Sequence, residues 1–267
     1  MTCRFGVATG CNVNVPVAAT LDVFASAGVT AVEVGTPPRH FDPWCHEQIT
    51  DLGRRLHRLG IIPVSIHAPF GGPLDLSDPN PQGRHAAIGA GLIAASAMRH
   101  LGGSRVIVHT TDVVRDGQNV GERLGHCAAS LDALARACSH MGAMLVVETP
   151  LPHLIGGQPD EFDWILSKLD GSVGVCIDTG HVSLGGHWDR FVGVAGRRLV
   201  HVHANDNRGQ FDDHLTPGDG SIDWPHIRET LARAEFDGWI VLELSSPDGP
   251  APEHIATALH RVRDLLS

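Results

Sequence analysis

Nine residues of metal-ligating type stand at, or just past, the ends of short apolar runs: His67, His109, Glu148, Asp178, His181, His203, Asp212, His214 and Glu243. His67 closes Pro-Val-Ser-Ile-His, His109 closes Val-Ile-Val-His, Glu148 closes Leu-Val-Val-Glu, Asp178 closes Val-Cys-Ile-Asp, His203 closes Val-His-Val-His and Glu243 closes Ile-Val-Leu-Glu. Isolated core or loop residues do not make such a series, because a buried carboxylate costs several kcal/mol unless it is paired or metal-bound. His181 follows Asp178 by three residues in Asp-Thr-Gly-His, and Asp212 and His214 alternate, so each pair can face one cavity. Imidazole and carboxylate donors without thiolate suit Zn²⁺, Mn²⁺, Fe²⁺ or Co²⁺. The remaining histidines fall on helix-like stretches or loops, and His201 is assigned the strand face opposite to that of His203.

The elements that must carry these residues alternate along the chain. Strand-like runs cover 5–9, 31–35, 62–67, 105–110, 144–148, 174–178, 199–203 and 240–244. Helical periodicity marks 84–101, 120–141, 224–234 and 252–266. The runs are continuously apolar, as strands covered on both faces are, and Gly or Pro punctuates the connections. Eight strands each followed by a helix describe a single (β/α)8 barrel over residues 1–267. The strands' C-terminal ends then form the mouth where barrel enzymes place their sites. Asp223 is read as a cap before the Trp224 helix, and Ser77 or Asp78 as a local cap before the Pro-rich turn.

Composition narrows the partners. The chain has 267 residues, with 20 basic and 30 acidic, a net charge of −10 that disfavours a polyanion such as nucleic acid. No segment offers the roughly 18 uninterrupted apolar residues of a membrane span, and the start lacks a leader pattern, so a cytoplasmic protein is expected. The six cysteines form neither a CxxC pair nor a disulfide framework and read as reduced, buried small residues. The glycine-rich stretches match no phosphate-binding motif.

With these motifs assembled, the sequence resembles the xylose-isomerase-like TIM barrel superfamily, which includes sugar-phosphate isomerases and epimerases and the endonuclease IV type of repair enzyme. The resemblance runs from Thr-Ala-Val-Glu-Val near Glu33 to Ile-Val-Leu-Glu-Leu around Glu243. It is most specific in Ile-Asp-Thr-Gly-His, His-Val-His-Ala-Asn-Asp-Asn and Asp-Asp-His-Leu-Thr-Pro-Gly-Asp-Gly. In the epimerase branch it implies one divalent ion on Glu148, Asp178, His203 and Glu243, with Glu148 and Glu243 as catalytic base and acid. His181 and Arg208 would orient the substrate, Arg208 standing one residue from the expected spacing. In the endonuclease branch all nine residues would hold three zinc ions, giving one to three ions per chain.

The first branch would move a proton next to a carbonyl through an enediolate, a charge that a divalent cation stabilises. The second would activate hydroxide for attack on a phosphodiester. Duplex binding needs basic residues and aromatic wedges, whereas this chain is acidic and contains no Tyr. Phe70 reads as a lid over a small substrate or as such a wedge. The loop 71–82 carries Asp75 and Asp78 and no basic residue, which suits a neutral polyol. Glu33 reads either as a hydrogen-bond partner of a sugar hydroxyl or as a buried carboxylate paired with an arginine. Trp188 and Trp224 read as pocket walls or as packing between helices. The leading reading is a metal-dependent isomerase or epimerase of a sugar or polyol, with a homo-oligomer allowed. The alternatives are a trinuclear-zinc phosphodiesterase and a barrel that binds metal or ligand without turnover.

Overall fold

The computed structural model describes residues 3–115, 119–246, 249 and 251–267. Met1 and Thr2, part of the amino-terminal stretch read above, lie outside them. Eight parallel strands close on themselves in chain order: β1 (Arg4–Ala8), β2 (Ala31–Val34), β3 (Ile62–His67), β4 (Arg105–His109), β5 (Met144–Glu148), β6 (Gly174–Asp178), β7 (Leu199–Ala204) and β8 (Trp239–Leu242). Around them run α1 (Val17–Ser26), α2 (His46–Leu59), α3 (Pro81–Leu101), α4 (Val120–His140), α5 (Pro159–Leu166), α6 (Thr179–Gly185), α7 (Trp188–Ala195), α8 (Trp224–Arg233) and α9 (Pro252–Leu266). The expected (β/α)8 barrel is therefore present. Its β6–β7 crossover holds two helices where one was expected, because Gly186 (φ +67°) ends the short α6 before α7 begins.

The sheet is closed and covered by helices, so its outer face needs apolar side chains and its inner face only enough volume to fill the lumen. A large cluster that includes Val106, Leu145, Val147, Val175, Ile177, Leu131 and Phe162 lies between strands and helices. Inside, Ile107, Val146 and Cys176 pack together, each two residues before a ligand-type residue on its own strand. Because a strand alternates its faces, this inner plug and the site residues above it share a face. Burial pushes the Cys176 thiol far above its ordinary value, and all six cysteines are unpaired in disulfides.

Helix starts follow local hydrogen bonding. Asp223 accepts from the His226 N–H at 3.1 Å and caps α8 as expected. Asp78 accepts from Asn80 N–H at 2.8 Å ahead of the Pro-rich turn, and Asn80, before Pro81, accepts from Gln82 N–H at 3.0 Å as the cap of α3. Pro at the first helical position lets the helix begin three residues before Arg84, since its missing N–H would have had no partner. Trp188 and Trp224 are buried in the hydrophobic core, packed as the helix-packing alternative expects. No helix among the described residues is long and apolar enough to cross a membrane.

Candidate metal centre

Strand register gathers the nine residues. On neighbouring strands His109 pairs with Glu148, and Glu148 with Cys176, so β4 and β5 end level and β6 carries Asp178 two residues further toward the mouth. A register shift between Val175 and Cys176 then sets Asp178 opposite His203. Glu243 follows β8 directly, and its N–H donates to Ala204 O at 3.1 Å. The result is three groups whose donor atoms lie within 4.8 Å of one another: His67–His109–Glu148, Glu148–Asp178–His203–Glu243, and His181–Asp212–His214. Glu148 belongs to two of them.

The outer imidazoles share one arrangement. His67 Nδ1 donates to Ala68 O at 3.0 Å, His181 Nδ1 to Thr149 O at 2.8 Å and His214 Nδ1 to Glu243 O at 3.1 Å. His109 Nδ1 faces Asp112 Oδ1 at 3.0 Å. A carbonyl can only accept, so it fixes the proton on Nδ1 and turns Nε2 inward. Accordingly, His67 Nε2 and His109 Nε2 lie 3.1 and 3.2 Å from Glu148 Oε2. His181 Nε2 and His214 Nε2 lie 3.3 and 3.0 Å from Asp212 Oδ2. Asp212 Oδ1 is buried without a hydrogen-bond partner. A donor set of converging imidazole Nε2 atoms and shared carboxylates fits a divalent cation of the Zn²⁺, Mn²⁺, Fe²⁺ or Co²⁺ kind.

His203 is turned the other way. Its Nδ1 lies 3.0 Å from Glu148 Oε1, 3.1 Å from Glu243 Oε2 and 3.9 Å from Asp178 Oδ2. Its Nε2 is 3.0 Å from Glu33 Oε1, in charge contact but off the line of a hydrogen bond.

Electrostatics follow from this crowding. Burial alone would raise the Glu148 carboxyl, yet the charges of His203 and His109 and their hydrogen bonds hold it well below the usual range. Glu243, opposed in the same way by burial but facing His203 and His214, sits at about 2. Asp178 behaves differently: burial, with Glu243 and Glu148 nearby, raises it to about 6 against the pull of His181. Burial works against the charged imidazoles, but neighbouring carboxylates raise His109 to about 9 and His214 to about 10, and lift His181 and His203 well above their ordinary value.

Two loops complete the site. Asp212 and His214 ride on the connection between β7 and α8, where buried Asp206 accepts from Gly218 N–H at 2.8 Å, Ile222 N–H at 3.2 Å and Trp224 Nε1 at 2.8 Å. His214 takes φ +48°, a left-handed conformation that costs an L-residue roughly 1–2 kcal/mol and that this anchoring sustains. The β3–α3 loop brings Phe70 over the mouth, its ring 4.1 Å from that of His109 and 4.9 Å from that of His67. Asp75 in that loop is consumed internally, accepting from Ser77, Thr111 and Arg123. It is a loop brace and presents no free charge to a ligand.

A cavity of about 220 Å³ lies over the metal-ligating residues, bounded by Phe70, Pro150, Leu151 and Leu154. A second lobe of about 470 Å³ adjoins it across His67, Phe70 and Glu243 and is walled by Val13, Pro37, Pro38 and Trp44. Among the described residues no Lys or Arg lines either lobe.

Several expectations need correction. Arg208 is exposed and outside both lobes, and its backbone N–H donates to Asp213 at 3.1 Å. Glu33 is 1 % exposed and faces Ser65, His201 and His203, with no arginine beside it. His201 shares the inward face of His203, because residues two apart on a strand point the same way, and it sits one layer deeper. Asn205 and Asp206 were not singled out as separate site residues. Their signal was the run of consecutive polar residues after β7, which a solvated loop explains equally well until burial is known.

Comparisons with known proteins agree with this architecture. A solved structure of a D-tagatose 3-epimerase-like protein superposes with a TM-score of 0.83 at 23 % identity, covering 99 % of this chain and 100 % of that one. A putative hydroxypyruvate isomerase of Streptomyces coelicolor is 25 % identical over 253 residues, 86 % of this chain and 85 % of that protein. Uncharacterized protein MJ1311 of Methanocaldococcus jannaschii is 27 % identical over 190 residues, 68 % of this chain and 64 % of its own length. The family model of the xylose isomerase-like TIM barrel matches residues 21–265, nearly the whole chain, and the protein belongs to that family.

Proposed function

We propose that the protein is a divalent-metal-dependent isomerase or epimerase acting on a small polyhydroxy carbonyl compound: a sugar, a ketose or an inositol-like ring. The observation that carries this reading is the pair of ionised carboxylates Glu148 and Glu243, which come from β5 and from the end of β8. They approach the same His203 Nδ1 at 3.0 and 3.1 Å. Two carboxylates on separate strands beside one cavity can serve two faces of a substrate, or two neighbouring carbons.

Glu148, Asp178, His203 and Glu243 would hold the ion, with His67, His109, His181, Asp212 and His214 able to hold more. A bound divalent cation supplies Lewis-acid charge where an oxyanion develops. The chain's own residues do the rest. Glu243, with 26 % of its side chain exposed, reaches the cavity most readily and removes the proton next to the carbonyl. Glu148, ionised at rest, takes up a proton from solvent before the step and delivers it from the other side, and Glu243 afterwards releases its own to solvent; such acid–base help is worth about 10²- to 10⁴-fold. His181, its Nδ1 fixed by Thr149 O, presents Nε2 to substrate oxygens. Phe70 and Leu154 exclude water above them. The lack of Lys and Arg around both lobes, among the described residues, favours a neutral substrate over a phosphorylated one. Activities named for the Streptomyces relative and the epimerase-like structure accord with this class of chemistry.

A second reading, a three-ion phosphodiester hydrolase, is favoured by one observation: all nine ligand-type residues fall into three contiguous groups. A non-catalytic barrel has no need for Glu148 and Glu243 to converge. Solvent-deuterium exchange into a panel of ketoses and inososes tests the first reading, with Glu148→Gln and Glu243→Gln expected to abolish it. Exchange that survives both substitutions overturns the assignment of acid and base. Cleavage of a duplex with an abasic site, together with three zinc ions per chain, would favour the hydrolase.

A further inference from the structure

Four of the five site histidines have their outward nitrogen held by an acceptor. For His67, His181 and His214 it is a backbone carbonyl, and for His109 it is Asp112. His203 is reversed, with Nδ1 facing the carboxylates of the central group. Among the described residues its Nε2 is in ion-pair contact with Glu33 Oε1 at 3.0 Å, with the buried thiol of Cys176 a further neighbour of the ring. Glu33 thus occupies behind His203 the place those carbonyls and Asp112 hold behind the other four, by ion-pair contact where they make hydrogen bonds.

Local structure builds Glu33 for that position. The β2–β3 register shifts between Val32 and Glu33, so that Glu33 pairs with Ser65. Bulges of this kind re-aim a side chain. The Ser65 hydroxyl then donates to Glu33 Oε2 at 2.6 Å, and His201 Nε2 lies 3.2 Å from the same oxygen. Both carboxylate oxygens are thus engaged, and the residue is 1 % exposed beneath the apolar lobe.

We propose that Glu33, braced by Ser65, is a positioning residue: it keeps the proton of His203 on Nε2 and thereby commits Nδ1 to the ion held by Glu148, Asp178 and Glu243. This rests on the reading of that group as a cation site. A carboxylate behind an imidazole orients the ring, fixes its tautomer and raises its basicity as a ligand, and its loss typically weakens metal binding about 10- to 100-fold. Ser65 restrains Glu33 from swinging to the ion itself.

The test is titration of chelator-stripped protein with Co²⁺ against a chromophoric competitor, alongside ¹H–¹⁵N histidine spectra of the zinc-loaded protein. Glu33→Gln should weaken the central site about 10- to 100-fold, change the cobalt visible spectrum and move the His203 Nε2–H signal. Ser65→Ala should act in the same direction, more weakly. Glu33→Gln with wild-type affinity and an unmoved His203 signal overturns the proposal. Should Glu33→Gln fail to fold, Ser65→Ala with an unchanged cobalt affinity and His203 signal overturns it equally. Wild-type protein that takes up no Co²⁺ removes the cation reading itself, an outcome distinct from equal binding by wild type and variant.

Discussion

Glu148 is the carboxylate on which the most imidazoles converge, so its replacement in metal-free protein measures how the charges balance. His67, His109 and His203 lie within 3.0 to 3.2 Å of it, while Asp178 and Glu243 oppose it. His109 is held at about 9 against an ordinary 6.5, which corresponds to about 3 kcal/mol of proton-linked stability. Glu148 and Asp112 share that rise, with the attraction of Glu148 its largest source. A histidine whose folded value is raised stabilises fully below about pH 6.5 and loses that contribution as pH climbs through about 9. Glu148→Gln should therefore destabilise the stripped protein by about 2–3 kcal/mol at pH 6, with the gap narrowing toward pH 10. Urea unfolding at the two pH values, followed by far-UV circular dichroism, gives both numbers. A variant as stable as wild type at pH 6 would show that relief of repulsion from Asp178 and Glu243 cancels the imidazole pairing. A gap independent of pH would refute the assignment of the pairing to charged histidine.

Other outcomes can be checked in parallel. Zinc binding at pH 7 should release protons, since His109 at about 9 and His214 at about 10 must lose theirs to become ligands, and calorimetry in buffers of different ionisation enthalpy counts them. Gly180→Ala should destabilise by about 1–3 kcal/mol where an exposed helical glycine would gain from alanine. The new Cβ would lie 2.1 Å from Asn205 Oδ1, and Asn205 in turn donates to Asp178 at 2.8 Å; a thermal melt supplies the sign. Asp206→Ala orphans four donors at the β7–α8 connection, the N–H groups of Asn207, Gly218 and Ile222 and the Trp224 indole, each worth about 1–3 kcal/mol. A loss near 4 kcal/mol and a missing ion at His181–Asp212–His214 are expected by denaturation and metal analysis.

The barrel was readable because its strands are largely buried on both faces, and six of them appear as apolar runs closed by an imidazole or a carboxylate. Those six ligand-type residues were readable because strand ends in a barrel converge, and His181, Asp212 and His214 because of their short spacing in Asp-Thr-Gly-His and Asp-Asp-His. Glu33 was visible as a strand-end carboxylate, but its partners depend on a register shift at Val32 that no residue type announces. His201 was misplaced by assigning it the wrong face, although a two-residue spacing from His203 means a shared one. Arg208 lies in a loop whose path is set by Asp206, and loop paths follow tertiary hydrogen bonds more than local pattern. Asp78 was legible as a local cap before the Pro-rich turn, and the cap of α3 itself falls two residues on, at Asn80.

The third ligand group is divided between two kinds of scaffold. His181 belongs to the first turn of α6, whereas Asp212 and His214 hang from a connection pinned by one buried carboxylate. Exchange of that connection alone would change how many ions the mouth can accept while leaving every barrel strand untouched. On the proposed metal-dependent reading, the number of ions would then be set by an interchangeable segment, while the strand-borne group stays as the barrel builds it.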